Sequence, residues 1–430
     1  MQISLLFYII NILIVRYFSR KYTGLIIILI WWGILNFLHY FSLSGLFLIT
    51  TQTQYIYFLF FTLFTFSFLV TERLFNFRFL TGSNITVSHY YYNTLFYLAL
   101  IFLIPIQAIF TIRGIYLLSF VMNPSYYRSD VFGLITGTSS LFFNSIQVAK
   151  AHSFIIGPLQ FVIFFSGISY TIFRKKVGLF VLGIILLVLD AFMMFGRFGY
   201  HYLIISLCLY FLFSKKFRKV QSNFKYALVK VSALLFILLI TVFAITKKRG
   251  DSGNLRFFET YLITYHTESF TIFDIELKNP NSILHEYTYG LSTLGGIERY
   301  FIPLINIFGY RFISQADQVG GYLHQNFLIG YDEYNNPLLF NAYGSIFFTM
   351  YRDGGLIAVS VFGILLGFFF SIYSGSLKTK DPIDFAIFYG LLFLILYGIF
   401  QPTVLGPMLP ALFILYILKQ VLKAYTKLIH

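Results

Sequence analysis

The sequence is poor in charged residues and has almost no cysteine. Only 11% of its 430 residues are Asp, Glu, Lys or Arg, whereas soluble domains carry about 25%. Cys208 is the single cysteine, so a disulfide framework and a cysteine-based metal site within one chain are both excluded. With 58% hydrophobic residues and a mean hydropathy of +0.78, the composition predicts a polytopic membrane protein whose main solvent is the bilayer.

Motifs for metal chemistry and for nucleic-acid binding are also missing. The eight histidines form no HExxH or comparable spacing, and the outer loops hold no DxD-like pair. The net charge of +15 is concentrated in short clusters between apolar segments, a pattern that indicates membrane orientation rather than a nucleic-acid footprint. We therefore expect no metal, no cofactor and no nucleic-acid partner.

Apolar segments that cross, or nearly cross, a bilayer alternate with these basic clusters. A spanning helix takes about 17 to 25 residues, and the apolar N-terminus is counted as a span because no signal-peptide cleavage site follows it. The sequence predicts an all-α polytopic protein with about eleven transmembrane helices (10–12). The predicted spans are 2–15, 22–41, 54–71, 90–111, 153–173, 177–195, 200–214, 229–246, 354–373, 383–400 and 407–418.

The basic clusters fall on alternate sides of these spans. One side carries 19 of the 31 basic residues and only three acids, Glu72, Asp381 and Asp384. The positive-inside rule places this side in the cytoplasm. The C-terminus is then inside, and with eleven spans the N-terminus is outside.

One outer loop is much longer than the others and divides the chain. We predict an N-terminal transmembrane bundle (1–245), a large periplasmic loop (246–341), and a C-terminal part (342–430) with a return helix and the last spans. Unstructured loops beyond about 12–15 residues are uncommon unless they are functional, so part of this loop should be helical. A polar stripe at helical spacing, opposite an aromatic face, predicts an amphipathic helix that lies on the membrane surface or caps a cavity. The stripe consists of Thr260, Thr264, Thr267, Glu268, Thr271 and Asp274.

Two sets of charges lie where an apolar chain should have none. Asp190 is inside an apolar segment, and Arg197 follows two helical turns later, so both side chains project to one face of a continuing helix. They either satisfy each other or line a polar cavity, and ionisable groups at membrane depth are candidates for function. Arg352 and Asp353 stand at the outer mouth of the span that begins at residue 354. The alternative is a local one, in which Asp353 complements the helix dipole and Arg352 pairs nearby or reaches headgroups.

A third set of charges lies outside the membrane, against the positive-inside trend. Arg249 follows two lysines in TKKRGDSGNLR, which ends at Arg256. Guanidinium groups match phosphate in a bidentate fork, so the cluster indicates a phosphate-bearing ligand or, alternatively, anionic headgroups. Arg299 and Arg311 are candidates for the same positive field. His266 and Glu268, on the predicted amphipathic helix, are candidates for proton transfer.

The segment NAYGSIFFTMYRDGGLIAVSVFGILLG (341–367), the short turn with Arg197 and Gly199, and the plan of spans resemble the Wzy-type O-antigen polymerase family. The segment is similar to the family's return helix and the turn to its Arg-x-Gly turn, although Gly196 stands where Ser is usual. The resemblance covers the whole chain. By residue it extends to Arg197, Asn341 and Asp353.

The resemblance implies a membrane-embedded glycosyltransferase of the bacterial inner membrane that works on its periplasmic face. It would join undecaprenyl-diphosphate-linked repeat units into a surface polysaccharide, with a chain-length regulator protein as a partner. We expect Arg197, Arg249 and Arg352 to hold the donor diphosphate. His266, Glu268 or Asp353 would accept the acceptor's hydroxyl proton, and Asp190 would orient Arg197. The alternatives are an O-antigen ligase and a flippase for lipid-linked oligosaccharides.

Overall fold

The computed structural model describes the chain except for residues 1, 20–22, 42–44, 75–84, 132–137, 197, 218–263, 310–311, 333, 341–343 and 430. The described residues are mostly α-helical. In chain order the helices are α1 (Gln2–Phe18), α2 (Thr23–Tyr40), α3 (Thr51–Leu74), α4 (Ile85–Tyr97), α5 (Ile104–Tyr116), α6 (Pro124–Val131), α7 (Ile146–Ala151), α8 (Gly157–Arg174), α9 (Gly178–Met193), α10 (Phe198–Phe217), α11 (Tyr265–Lys278), α12 (Gly295–Ile307), α13 (Gln315–Leu323), α14 (Ile346–Arg352), α15 (Gly355–Ser374), α16 (Ser376–Thr379), α17 (Pro382–Tyr397) and α18 (Met408–Ile429).

Five of the described helical stretches are long and apolar enough to cross a membrane. They are Thr23–Tyr40, Thr51–Leu74, His89–Val121, Ile146–Arg174 and Gly355–Thr379. Shorter apolar helices cover Ser4–Phe18, Gly178–Met193, Gly199–Ser214, Pro382–Tyr397 and Met408–Leu422. The chain is thus an α-helical membrane protein. Ten of the eleven predicted spans coincide with these helices, and the remaining one, 229–246, lies outside the described residues.

One predicted span ends too early in the sequence. The helix predicted over 90–111 continues to Val121, through α4, a π-helical stretch, α5 and a second π-helical stretch, Leu117–Val121. The helix continues past a charged residue, Arg113, because the guanidinium of Arg113 has local partners. Its Nε donates to the carbonyl oxygen of Ser140 (2.7 Å), and its guanidinium lies over the ring of Phe143 (4.0 Å).

A short β-hairpin is present in the predicted periplasmic loop, although the sequence was expected to be all helical. Strand β1 (Phe327–Tyr331) pairs antiparallel with β2 (Pro337–Phe340), with an irregular register between Leu328 and Gly330. Gly330 also forms a bridge to Leu46. The missed signal is the Asn-Asn-Pro turn between two short apolar runs, which is typical of hairpins.

The described helices fall into two compact units. Unit 1 contains Met1–Gly82, Asn254–Lys380 and Ile387–Phe413, and unit 2 contains Ser83–Gly253, Asp381–Ala386 and Ile414–His430. This grouping differs from the predicted division at residues 245 and 341. It does so because α1 to α3, at the start of the chain, pack with segments that follow residue 254.

In unit 1, α3 and α15 run parallel to each other in close contact. Gly363 lies against Phe60 and Gly367 against Phe64, and a side chain at either glycine would press on the backbone of α3. Ser67 Oγ also donates to the carbonyl oxygen of Ile364 (2.7 Å). Small residues at such a spacing let two membrane helices approach closely. We call the end of unit 1 at which α3 and α15 begin the loop end.

Three helix ends meet halfway along α2. Trp31 Nε1 donates to the carbonyl oxygen of Leu396 (3.0 Å), so α17 ends level with the middle of α2. The backbone N–H of Ile346 donates to Gly398 O (2.6 Å), so α14 begins at this depth as well. His266, near the start of α11, packs edge-to-face on Phe400 (4.6 Å). Irregular backbone at membrane depth is tolerated where protein buries it, and this junction is buried.

From this junction α14 rises to the loop end. It is a buried helix of seven residues, too short to span the bilayer. Phe347 packs against the rings of Tyr57 (4.6 Å) and Phe60 (4.9 Å), in the middle of α3. The chain then turns sharply at Gly355, whose φ of +61° favours glycine, and returns as α15.

Helix α11 is buried, so it is not the surface helix that was one of the two predicted alternatives. The described part of the polar stripe, from Thr264 to Asp274, is buried, because α2 and the start of α3 supply polar partners for it. His39 Nε2 lies 2.8 Å from Thr271 Oγ1. The Asp274 carboxylate accepts bonds from the backbone N–H of Thr50 (2.8 Å) and from Thr53 Oγ1 (2.6 Å). The periodicity was read correctly as helical, but it could not indicate that a polar face would find a polar partner inside the protein.

Candidate functional site

Arg352, at the end of α14, is buried at the loop end of unit 1 and only partly paired. It is 1% exposed. Its Nη2 donates to Gln318 Oε1 (3.1 Å) and lies 3.6 Å from Glu286 Oε2. Within the part of the chain that the structure describes, Nε and Nη1 of Arg352 have no hydrogen-bond acceptor. Two donors of one planar fork are therefore buried and unused.

This arrangement is costly for the protein and fits an anion. Burial lowers the pKa of Arg352, and the nearby carboxylates of Glu286, Asp353 and Glu298 counteract that shift. The side chain remains cationic at neutral pH. A buried donor without an acceptor costs about 1–3 kcal/mol, and more when the group is charged. The charged oxygens of a phosphate-bearing ligand are strong acceptors for these free N–H groups, which lie on two different edges of the guanidinium plane.

Glu286 is the accessible carboxylate next to this arginine. Its side chain is 69% exposed. It follows a short 3-10 turn, Ile283–His285, which Ser282 caps by accepting from the backbone N–H of Leu284. No pattern in the sequence singles out Glu286. The HE dipeptide is an unremarkable signal in a loop, and only the fold brings residue 286 to residue 352.

Asp353 fixes the loop that follows Glu286. Its Oδ1 accepts from Thr288 Oγ1 (2.5 Å) and from the backbone N–H of Ser292 (2.9 Å), and its Oδ2 accepts from the backbone N–H of Thr293 (2.8 Å). In addition, Thr288 N donates to the carbonyl oxygen of Arg352 (3.1 Å). These bonds engage both carboxylate oxygens, which favours a positioning role for Asp353 over the predicted role of proton acceptor.

His266 and Glu268 lie deeper in unit 1 than Arg352. The α11 residue that packs against Tyr351 is Phe273 (5.9 Å). Since a helix rises 1.5 Å per residue, His266 lies about 10 Å and Glu268 about 7 Å further along α11. Glu268 is fully buried, and His266 stands between the rings of Phe400 and Trp31. The structure does not bring these two residues to the arginine.

Helix α12 contributes a polar first turn to the rim of the site. Glu298 Oε2 accepts from the backbone N–H of Gln315 (2.8 Å), and burial raises the pKa of Glu298. Arg299 Nη2 lies 3.0 Å from Asp317 Oδ1. Arg299 is thus part of an ion pair at the rim, while Arg352 occupies the interior.

In unit 2, Asp190 belongs to a polar network among apolar helices. Its carboxylate interacts with the side chains of Gln107 and Gln160. Gln107 Nε2 donates to Gln160 Oε1 (3.0 Å), and His152 Nε2 lies 3.1 Å from Gln107 Oε1. No sequence pattern connects the groups of this network, because they come from three separate helices.

The remaining predicted site residues lie outside the described residues. They are Arg197, Arg249, Arg256, Arg311 and Asn341, and their roles stay predictions. Among the described residues, no group of three or more His, Cys, Asp or Glu side chains could hold a metal ion.

The chain was compared with protein-family models, with curated proteins and with solved structures, and none of them matches it.

Replacing Asp353 with Asn should loosen the loop that carries Glu286. Asn keeps the volume but loses the charge that strengthens two backbone hydrogen bonds, so we expect a local loss of about 1–3 kcal/mol. Hydrogen exchange of the backbone N–H groups of Ser292 and Thr293 should become about tenfold faster or more.

The matched control for this experiment is Glu286→Gln, a neighbouring acid-to-amide change at an exposed side chain. It should leave the exchange of both N–H groups unchanged. Equal protection in Asp353→Asn and in the wild type would contradict the positioning role.

Proposed function

We propose that this chain polymerises undecaprenyl-diphosphate-linked oligosaccharide repeat units into a surface polysaccharide, at the periplasmic face of a bacterial cytoplasmic membrane. The observation that carries the proposal is the buried guanidinium of Arg352, with two unused N–H donors at the end of a membrane helix bundle. Guanidinium groups bind phosphates and carboxylates well, and a diphosphate has several charged oxygens, so that different oxygens could reach Nε and Nη1. A lipid-linked diphosphate also presents its charge at this height, where spanning helices end.

The position of Arg352 supports a catalytic use of its charge. The side chain is held before substrate arrives, by Gln318 on one side and by the packing of α14 on the other. Preorganised donors in a water-poor site stabilise developing charge more than they do in water. In the proposed reaction, negative charge develops on the diphosphate as it leaves the donor sugar.

The proposed step is a group transfer in which the proton of the attacking hydroxyl has a defined acceptor. An acceptor hydroxyl oxygen on one lipid-linked unit bonds to the anomeric carbon of the donor glycan. The bond from that carbon to the diphosphate oxygen breaks, and undecaprenyl diphosphate leaves as an anion that Arg352 stabilises. A carboxylate takes the hydroxyl proton. We assign this base to Glu286, because it is the exposed carboxylate beside Arg352. His266 and Glu268 lie deeper, and Asp353 is engaged by the loop.

The other residues of the proposed site lie outside the described part of the chain, and their roles are those predicted from the sequence. Arg197 and Arg249 would supply further cations for the diphosphate, with Arg256 and Arg311 at the edge of the same field. Asn341 precedes α14 in the sequence and would contact the sugars. An O-antigen ligase would use the same donor chemistry with a different acceptor.

A second candidate function, transport of the lipid-linked unit, has one observation in its favour. Helices α11, α14 and α17 end or begin halfway along α2. Transporters place their substrate sites at such interrupted helices. The junction in unit 1 is filled by aromatic packing, however, and the partly paired arginine lies above it at the loop end. We therefore favour the transferase.

Replacing Arg352 with Met should slow chain elongation strongly without loss of stability. Losing an oxyanion-type donor costs about 10²–10³ in rate. The ion-pair partner that remains, Glu286, is 69% exposed and stays solvated, so the change leaves no unpaired buried charge from this pair and removes two buried donors that lack acceptors. The elongation of lipid-linked units by purified protein should fall by that factor, while the Tm in detergent stays constant or rises.

The control for Arg352→Met is Lys278→Gln, which removes a cation that is 53% exposed and lies outside the site. It should retain elongation. A lowered Tm in Arg352→Met with elongation preserved would make Arg352 a structural residue and overturn the assignment.

Replacing Glu286 with Gln separates catalysis from donor binding. The side chain is exposed, so the Tm should not change, and loss of a general base should lower the elongation rate by about 10²–10⁴. Binding of undecaprenyl diphosphate should be retained in Glu286→Gln and weakened in Arg352→Met. Wild-type elongation by Glu286→Gln would exclude Glu286 as the base.

A further inference from the structure

The second half of α12 and the described residues that follow it are apolar and exposed. No charged residue lies between Arg299 and Arg311. Ile307 is 78% and Phe308 80% exposed. The other exposed apolar side chains of this segment are Phe301, Ile305, Phe312 and Ile313. An exposed apolar surface of this kind is typical of a site that contacts a membrane or another protein rather than water.

The start of α12 is attached to the apolar helices of unit 1. A side chain at Gly296 would come within 2.5 Å of the carbonyl oxygen of Val404 and 2.8 Å of that of Gly406, so α12 touches the turn between α17 and α18 directly. That turn joins two apolar helices. Phe413, on the first turns of α18, is also exposed. The apolar surface of α12 therefore begins next to the surface that a membrane helix presents to lipid.

The two halves of α12 have opposite character. The first turn carries Glu298 and Arg299, which are half-buried and bonded to the segment around α13. The second half carries only apolar side chains and Asn306, which is bonded to the backbone of Phe312. A helix with one end in a polar site and the other apolar and exposed is suited to a boundary between the two phases.

We propose that the second half of α12, together with Phe308, Phe312 and Ile313, inserts into the lipid surface and forms a membrane-embedded lip beside the Arg352 site. Arginines bracket the apolar stretch at positions 299 and 311 in the sequence, as expected where a segment lies among anionic headgroups. The lip itself does not depend on the reaction. If the proposed function holds, the lip keeps the lipid tail of the substrate in the bilayer while its diphosphate reaches Arg352.

The test uses a single environment-sensitive dye. In a Cys208→Ser background, Phe308→Cys is labelled with a nitrobenzoxadiazole (NBD) group, and the full chain is reconstituted into vesicles of phosphatidylethanolamine and phosphatidylglycerol. The emission should shift to the blue. Lipids with a doxyl group should quench it strongly and aqueous iodide weakly. Ile307→Cys, labelled in the same way, provides a second position in case one variant does not fold.

The control position is Tyr334→Cys, in the loop of the β-hairpin, where the side chain is 73% exposed. Iodide should quench the dye there and doxyl lipids should not. Iodide quenching at residues 307 and 308 equal to that at residue 334 would overturn the proposal. Shielding from both quenchers would also overturn it, because protein, such as a second copy of the chain, would then cover the lip. Since no readout involves catalysis, either failure leaves the proposed function to be judged by its own variants.

Discussion

The incomplete pairing of one buried guanidinium is the constraint around which unit 1 is arranged at its loop end. Arg352 can be buried there because α14 begins halfway along α2 and rises only as far as the loop end. The acid that follows it, Asp353, holds the loop of Thr288 and Thr293 in place. That loop in turn sets the turn from which Glu286 projects. The start of α14 halfway along α2, the loop that Asp353 holds and the position of the Glu286 carboxylate are therefore all linked to the position of Arg352.

Asp274, another buried charge of the same unit, has partners for both of its carboxylate oxygens, in contrast to Arg352. Asp274 receives bonds from Thr50 and Thr53 and pairs with Lys278 at 2.5 Å. Polar partners for a buried charge are therefore available within this unit. Leaving two donors of Arg352 without acceptors lowers the stability of the empty protein, and a ligand that supplies those acceptors restores it on binding. Active sites commonly carry this kind of cost.

Hydropathy alone located most of the helices, because each span must satisfy its own backbone and remain apolar for about 30 Å. It also placed Arg352 correctly at the mouth of α15. It failed for α11, whose polar stripe is buried against His39 and Thr50, since periodicity shows a helix face but not its partner. Glu286 was missed for a similar reason: its proximity to Arg352 arises from a tertiary contact between distant segments, and no local pattern encodes it.

The most direct test of polymerisation is a gel of the surface glycan from cells that lack this gene. The account predicts that the ladder of repeat units collapses to a core bearing a single unit, because export and attachment still operate and only elongation is lost. Complete loss of the unit with long lipid-linked polymer accumulating would contradict this and indicate a ligase. Single units trapped on the cytoplasmic face would contradict it as well and indicate a flippase.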